Sequence, residues 1–156
     1  MLFLINKTIK RPIILSFLFV ACTVKPTSEI AEPSTRYNKQ VVEIEMRDGI
    51  KLNTEIYIPP STDEKLPILF TRTPYGLRHD DKGLHSSLSS SYLELAKEAY
   101  IFVYQDIRGR YGSEGKFSML RTPVSADKNV QVDEATDTYD TVEWLLNNLD
   151  NHNNKV

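Results

Sequence analysis

Apolar and polar positions alternate in two runs after residue 40. In "VVEIEM" (41–46), Val42, Ile44 and Met46 fall on one side and Glu43 and Glu45 on the other. In "IKLNTEIYI" (50–58), Ile50, Leu52, Ile56 and Ile58 share a side. Alternation of period two predicts half-buried strands, and Asp48-Gly49 between them predicts the tight turn of an antiparallel hairpin with one face buried. Pro59-Pro60 and "STDEK" separate this hairpin from the next strands. There the pattern changes. "LPILFT" (66–71) and "AYIFVYQD" (99–106) are nearly continuous apolar runs, which suits strands covered on both faces, as in a parallel sheet. Between them, "SSYLELAKEA" places Tyr92, Leu95, Ala96 and Ala99 at helical spacing. Farther on, Ala135, Tyr139, Val142, Leu146 and Leu149 recur at intervals of four and three, which predicts one apolar face of a helix. Asp133 suits its N-cap, and Asp133, Glu134 and Asp137 crowd its first turn, where the helix dipole favours anions. "NHNN" closes it, and Lys155-Val156 read as the opening of another strand. Strands alternating with helices predict an α/β fold, here cut off in mid-wind. No internal repeat is visible.

Ahead of this region the pattern is of another kind. Lys7, Lys10 and Arg11 precede the apolar run "PIILSFLFVA" (12–21), which is shorter than the ~20 residues of a bilayer span. A basic start and a short apolar stretch predict an export signal. The run ends "FVAC", similar to a bacterial lipobox in which Cys22 is acylated. Phe19 stands where leucine is usual, and the other reading is a plain signal peptide with Cys22 incidental. The absence of an A-x-A cleavage pattern favours the lipobox. Residues 1–22 are therefore read as signal peptide and anchor, 23–39 ("TVKPTSEIAEPSTRYNK") as a tether rich in Pro, Ser and Thr, and 40–156 as the folded domain. The expected location is the bacterial cell envelope, with a membrane as partner through the lipid.

Composition narrows the field. With 40% hydrophobic and 26% charged residues, the chain is of ordinary globular type. A net charge of −2 and dispersed Lys and Arg exclude a nucleic-acid partner, which needs a basic face. A single cysteine excludes an internal disulfide. His79, His85 and His152 lie in polar loop sequence, are read as solvated, and lack metal-ligand spacing. No metal and no cofactor are called for.

Two loops carry candidate chemistry, each after a predicted strand, where ligands of open α/β sheets gather. In "TRTPYG" (71–76), Tyr75 sits on a turn set by Pro74 and Gly76. Its phenol can donate a hydrogen bond, or the ring can merely pack over the turn. In "QDIRGRYGSEGKF" (105–117), Gly109, Gly112 and Gly115 allow left-handed or closely approached backbone, and Arg108 and Arg110 offer planar forks. This loop is either an anion site or a structural turn whose arginines are pinned by acids such as Asp106 or Glu114. It is no Walker loop, for G-K-[ST] is missing. Ser86, Ser87, Ser89, Ser90 and Ser91 lack the flanking glycines of a nucleophile elbow and belong to a loop and helix start.

Four stretches taken together, "MRDGIKLNTEIYIP", "ILFTRTPYG", "YIFVYQDIRGRYGSEGKF" and "DEATDTYDTVEWLLNN", resemble the amino-terminal part of the α-amino-acid ester hydrolases. These belong with cocaine esterases, glutaryl-cephalosporin acylases and Xaa-Pro dipeptidyl-peptidases in one α/β-hydrolase superfamily. The resemblance covers about residues 41–156. It implies a hairpin leading into a mostly parallel sheet, truncated before the nucleophile elbow, and it implies that Tyr75 completes an oxyanion hole. It also implies a serine hydrolase acting on small esters or peptides: α-amino acid esters, acyl β-lactams or Xaa-Pro peptides. Serine, acid and base of the triad would follow Val156, so the chain alone is expected to be inactive. The competing expectations are a non-catalytic, lipid-anchored binding module and an anion-binding domain built on Arg108 and Arg110.

Overall fold

The computed structural model describes residues 37–60, 63–119, 123 and 131–156. Cys22 and most of the tether lie outside the described residues. Strand β1 (Asn38–Glu45) begins inside the stretch read as tether, and Tyr37 just before it is buried. It pairs antiparallel with β2 (Lys51–Ile58) through the expected turn, closed by Met46 N–H to the Ile50 carbonyl at 2.8 Å. β3 (Ile68–Thr73) and β4 (Ile101–Asp106) come next, the latter buried at every position. The sheet order is β1-β2-β4-β3. β4 lies parallel to β3 and antiparallel to β2, so the sheet is mixed and not mostly parallel within these residues. Residues 151–155 run parallel beside the start of β3: Leu66 N–H bonds the Asn151 carbonyl at 2.8 Å and Ile68 N–H that of Lys155 at 2.9 Å.

Each face of the sheet has its own core. On one side Ile44, Met46, Leu52, Ile56, Ile101 and Val103 meet Leu145 and Leu149 of the helix α2 (Glu134–Asn148) and its end. On the other, Tyr57, Phe102 and Tyr104 meet Leu84, Leu88 and Ala96. This second core overturns the one-faced reading of the hairpin. Glu55 and Tyr57, which the alternation turns to solvent, are 5% and 0% exposed because the segment before β4 folds over them.

That segment is less helical than its spacing predicts. A single 3-10 turn (Ser86–Ser89) precedes a helix of only five residues, α1 (Leu93–Lys97). Serine-rich sequence competes with helix by bonding its own backbone: the Ser89 and Ser90 hydroxyls both donate to the Ser86 carbonyl. Ala99 then takes φ +60° and turns the chain into β4.

α2 starts where the sequence places it. The Asp133 carboxylate accepts from Thr136 N–H at 2.8 Å while Thr136 Oγ1 accepts from Asp133 N–H at 2.8 Å, a reciprocal cap. Its inward face is another matter. Asp137, Thr141 and Leu145 are buried; of the predicted stripe Leu149 is buried and Leu146 packs against the core, whereas Ala135 is exposed and Tyr139 is 62% exposed. At 3.6 residues per turn this rotates the buried face by about 100° from the apolar stripe. The cause is the polar surface beneath: Gln105 Nε2 donates to both Thr54 Oγ1 and Thr141 Oγ1 at 3.0 Å. Buried polar groups need partners, and the helix turns its polar residues to supply them.

Candidate active site at the carboxyl ends of β3 and β4

β3 ends at Thr73, opposite Asp106 at the end of β4, and Ile107 N–H donates to the Thr73 carbonyl at 3.1 Å. The next residues form the turn that carries Tyr75, whose N–H donates to Thr73 Oγ1 at 3.1 Å. Tyr75 is 71% exposed, and its hydroxyl has no partner among the described residues. The hydroxyls of the buried Tyr37, Tyr57 and Tyr104 are all engaged. The Tyr75 side chain thus stands mostly in solvent, with its phenol accessible.

The loop after β4 is a tight structural unit. Gly109 N–H donates to the Glu114 carbonyl at 2.8 Å, Ser113 N–H to that of Arg110 at 2.9 Å, and Glu114 N–H to that of Lys51 at 2.9 Å. Gly109 has φ +70°, and a Cβ there would sit 2.1 Å from the Phe117 backbone nitrogen, so no side chain fits. Gly112 and Gly115 are also closely approached, by the Asn53 and Arg108 side chains. Asp106 is the hub: its Oδ2 accepts from Asn53 Nδ2 at 3.0 Å and its carbonyl accepts from Ser113 Oγ at 2.7 Å.

Arg108 is pinned, but not by Asp106 or Glu114. Its Nε and Nη2 hold Asp137 at 3.0 and 2.6 Å, and its Nη1 and Nη2 hold Asp48 at 2.7 and 3.0 Å. The residue is 4% exposed. Four of its five N–H donors are given to two carboxylates and the side chain is buried, so its charge is already matched, which argues against the phosphate-site expectation for this arginine. These bonds outweigh the loss of solvent and hold the guanidinium above its ordinary value. On Asp48 burial pushes upward, yet the Arg108 bonds and charge leave its carboxyl below its ordinary value. Arg72 extends the network, reaching Gln105 Oε1 at 2.9 Å and the Glu134 carboxylate at 3.0 Å. Its Nη2 and Asp106 Oδ1 are buried without a hydrogen-bond partner. Burial lowers the pKa of Arg72 despite its acidic neighbours.

The histidines are engaged and not simply solvated. His79 Nε2 lies 2.9 Å from Glu55, whose carboxylate also binds Lys39 and Tyr57. Burial would raise that carboxyl; the three partners bring it below its ordinary value. His85 stacks on Tyr104 with ring centres 3.6 Å apart, and burial pushes it down to about 4. Its Nδ1 is 2.8 Å from Ser87 Oγ, but it also accepts from Ser87 N–H as the cap of the 3-10 turn, a structural pairing. His152 Nε2 bonds the Leu146 carbonyl. Among the described residues, no three His, Cys, Asp or Glu side chains gather to hold a metal, and no helix is long and apolar enough to cross a membrane.

Sequence reasoning placed Tyr75 and the glycine loop and missed Asp48 and Asp137 as the partners of Arg108. The one signal for Asp137 was a carboxylate four residues from Thr141 and eight from Leu145, one helical face with two polar members.

The chain is similar to known proteins in sequence and in fold. Residues 48–156 match the family described as X-Pro dipeptidyl-peptidase (S15 family). Cocaine esterase from Rhodococcus sp. (strain MB1 Bresler) is 35% identical over 105 residues, which are 67% of this chain and 16% of the esterase. An α-amino acid ester hydrolase structure aligns with TM-score 0.65 and 38% identity, over 90% of this chain and 24% of that one. An aminopeptidase from a marine sediment Thaumarchaeota archaeon aligns with TM-score 0.62 and 38% identity, over 76% of this chain and 20% of that one. The chain thus spans a quarter or less of these relatives.

Proposed function

Because the chain belongs to the X-Pro dipeptidyl-peptidase family, a family of ester and peptide hydrolases, we propose that it forms the oxyanion side of a serine hydrolase. The observation that carries this reading is the unpartnered, exposed Tyr75 hydroxyl on the turn that ends β3. In α/β-hydrolases a donor from the loop after the third strand joins the backbone N–H beside the nucleophile. The mixed sheet, with residues 151–155 laid parallel beside β3, suits that fold.

The reaction is acyl transfer. A serine oxygen attacks the ester or amide carbonyl carbon, and a histidine takes the serine proton. The carbonyl oxygen becomes an oxyanion, and the Tyr75 O–H donates to it. Histidine returns the proton to the leaving alcohol or amine, and water then releases the acid. One such donor is worth about 10²–10³-fold in kcat. The 156 residues contain no G-x-S-x-G. The attacking serine, its acid and its base come from outside them, and the substrates are α-amino acid esters, acyl β-lactams or Xaa-Pro peptides.

A fluorophosphonate probe, which labels activated serines, tests this division of labour. The 156-residue chain is expected to remain unlabelled. A chimera joining residues 37–156 to the carboxyl-terminal remainder of the Rhodococcus esterase is expected to label. Labelling of the chain alone at one of its own serines would refute the proposal.

A further inference from the structure

Tyr75 poses a mechanical problem. An exposed side chain on a turn has many orientations, yet a hydrogen-bond donor helps only if it already points where charge develops. Something must hold the turn. Among the described residues, Tyr75 itself makes only the short-range bond from its N–H to Thr73. The restraint comes from across the site, out of the loop after β4. Arg110 Nε donates to the Pro74 carbonyl at 2.8 Å. The Tyr111 ring presses on Gly76, where a Cβ would fall 2.9 Å from ring carbon. The residues on both sides of Tyr75 are thus gripped while its phenol stays open.

Among the described residues Arg47, Arg72 and Arg108 each hold a carboxylate, whereas Arg110 gives its Nε to the Pro74 carbonyl. Its guanidinium carbon lies 5.2 Å from the Tyr111 ring centre and 4.9 Å from that of Phe117, over the faces of both. Two rings fix the guanidinium plane, and a fixed plane aims Nε. The loop is in turn fastened to the hairpin by the Glu114–Lys51 and Asp106–Asn53 bonds. The path of restraint runs from hairpin to loop to Arg110 to turn.

Resting on the reading of Tyr75 above, we infer that Arg110 is a positioning residue, which with Tyr111 locks the Pro74–Gly76 turn and so aims the Tyr75 hydroxyl. It acts through the Pro74 carbonyl, not on the substrate.

Backbone ¹⁵N relaxation of the 156-residue chain tests this. In the unaltered chain Tyr75 and Gly76 are expected in the rigid range, with order parameters of about 0.85 despite their exposure. Arg110→Gln is expected to drop them below about 0.6 while β2 and β4 stay rigid. Arg110→Lys is expected to drop them too, because an ammonium lacks the in-plane Nε–H. Tyr75 already mobile in the unaltered chain, or unmoved in either variant, overturns the inference. So does a failure of both variants to fold, since Arg110 would then support the whole domain. The order parameters do not depend on what Tyr75 does chemically. Failure of the oxyanion reading, seen in turnover, is therefore distinct from failure of this one.

Discussion

At the scale of single residues, burial of charge decides most of what is distinctive here. Asp137 is 0% exposed and takes two bonds from Arg108, with Arg72 Nη2 at 3.7 Å. Removing one partner of a buried pair leaves the other uncompensated, a loss on the order of 3–5 kcal/mol. Asp137→Ala should therefore lower the urea midpoint more than any exposed acid; a change no larger than that of Glu98→Ala would contradict this. The pairing was illegible in the sequence because Asp48 and Asp137 stand 60 and 29 positions from Arg108. Nearer acids, Asp106 and Glu114, were the natural guess, and they are spoken for by Asn53 and by Lys51. Tyr75 was legible only in part. A Pro-Tyr-Gly turn after a strand suggests a donor, and the resemblance supplied the role.

His85 gives a prediction in pH. Its folded value is about 4, against about 6.5 for a free imidazole. Between those values the unfolded chain binds a proton that the folded chain refuses, so stability falls as pH drops from about 6.5 to 4. Urea midpoints measured across that range should decline, and His85→Asn, which can still cap the 3-10 turn, should flatten the decline. Asp48 and Glu55, both held below their ordinary values, stabilise above about pH 4 and lose that contribution below it. An unchanged slope in His85→Asn would show that the imidazole is not buried neutral.

At the scale of elements, the hairpin, the two apolar strands and the capped start of α2 were readable directly from periodicity and turn chemistry. The orientation of α2 was not. Its apolar stripe and its buried face differ because the sheet offers Gln105 and Thr54, and the loop after β4 offers Arg108, to the helix, and periodicity is blind to what an element packs against. Part of the stripe instead lines a shallow surface depression of about 300 Å³ with Tyr139, Val142 and Leu146. Adjacent leucines separate the two descriptions. Leu145→Ala removes a fully buried side chain and should lose about 2–5 kcal/mol in urea unfolding. Leu146→Ala, half-buried, should lose less than half of that. The reverse ranking would restore the stripe as the inward face. Asp133→Ala removes the cap and should lose about 0.5–2 kcal/mol.

At the scale of the whole molecule, the sheet puts the Tyr75 turn and the glycine loop at the carboxyl ends of neighbouring strands, and the matched relatives are hydrolases of esters and peptides. The amino-terminal stretch adds a proposal of its own. If "FVAC" is a lipobox, radiolabelled palmitate should enter the chain expressed in bacteria and be lost in Cys22→Ser; equal labelling of both would disprove it. On the proposal above, the Tyr75 phenol stabilises the charge that develops on the carbonyl oxygen. The most direct measurement is kcat for p-nitrophenyl acetate in the esterase chimera, with Tyr75 and with Tyr75→Phe. Loss of the hydroxyl should reduce kcat by about 10²–10³-fold with the fold unchanged. A Tyr75→Phe chimera that turns over as fast as its parent would show that the Tyr75 hydroxyl does not hold the oxyanion.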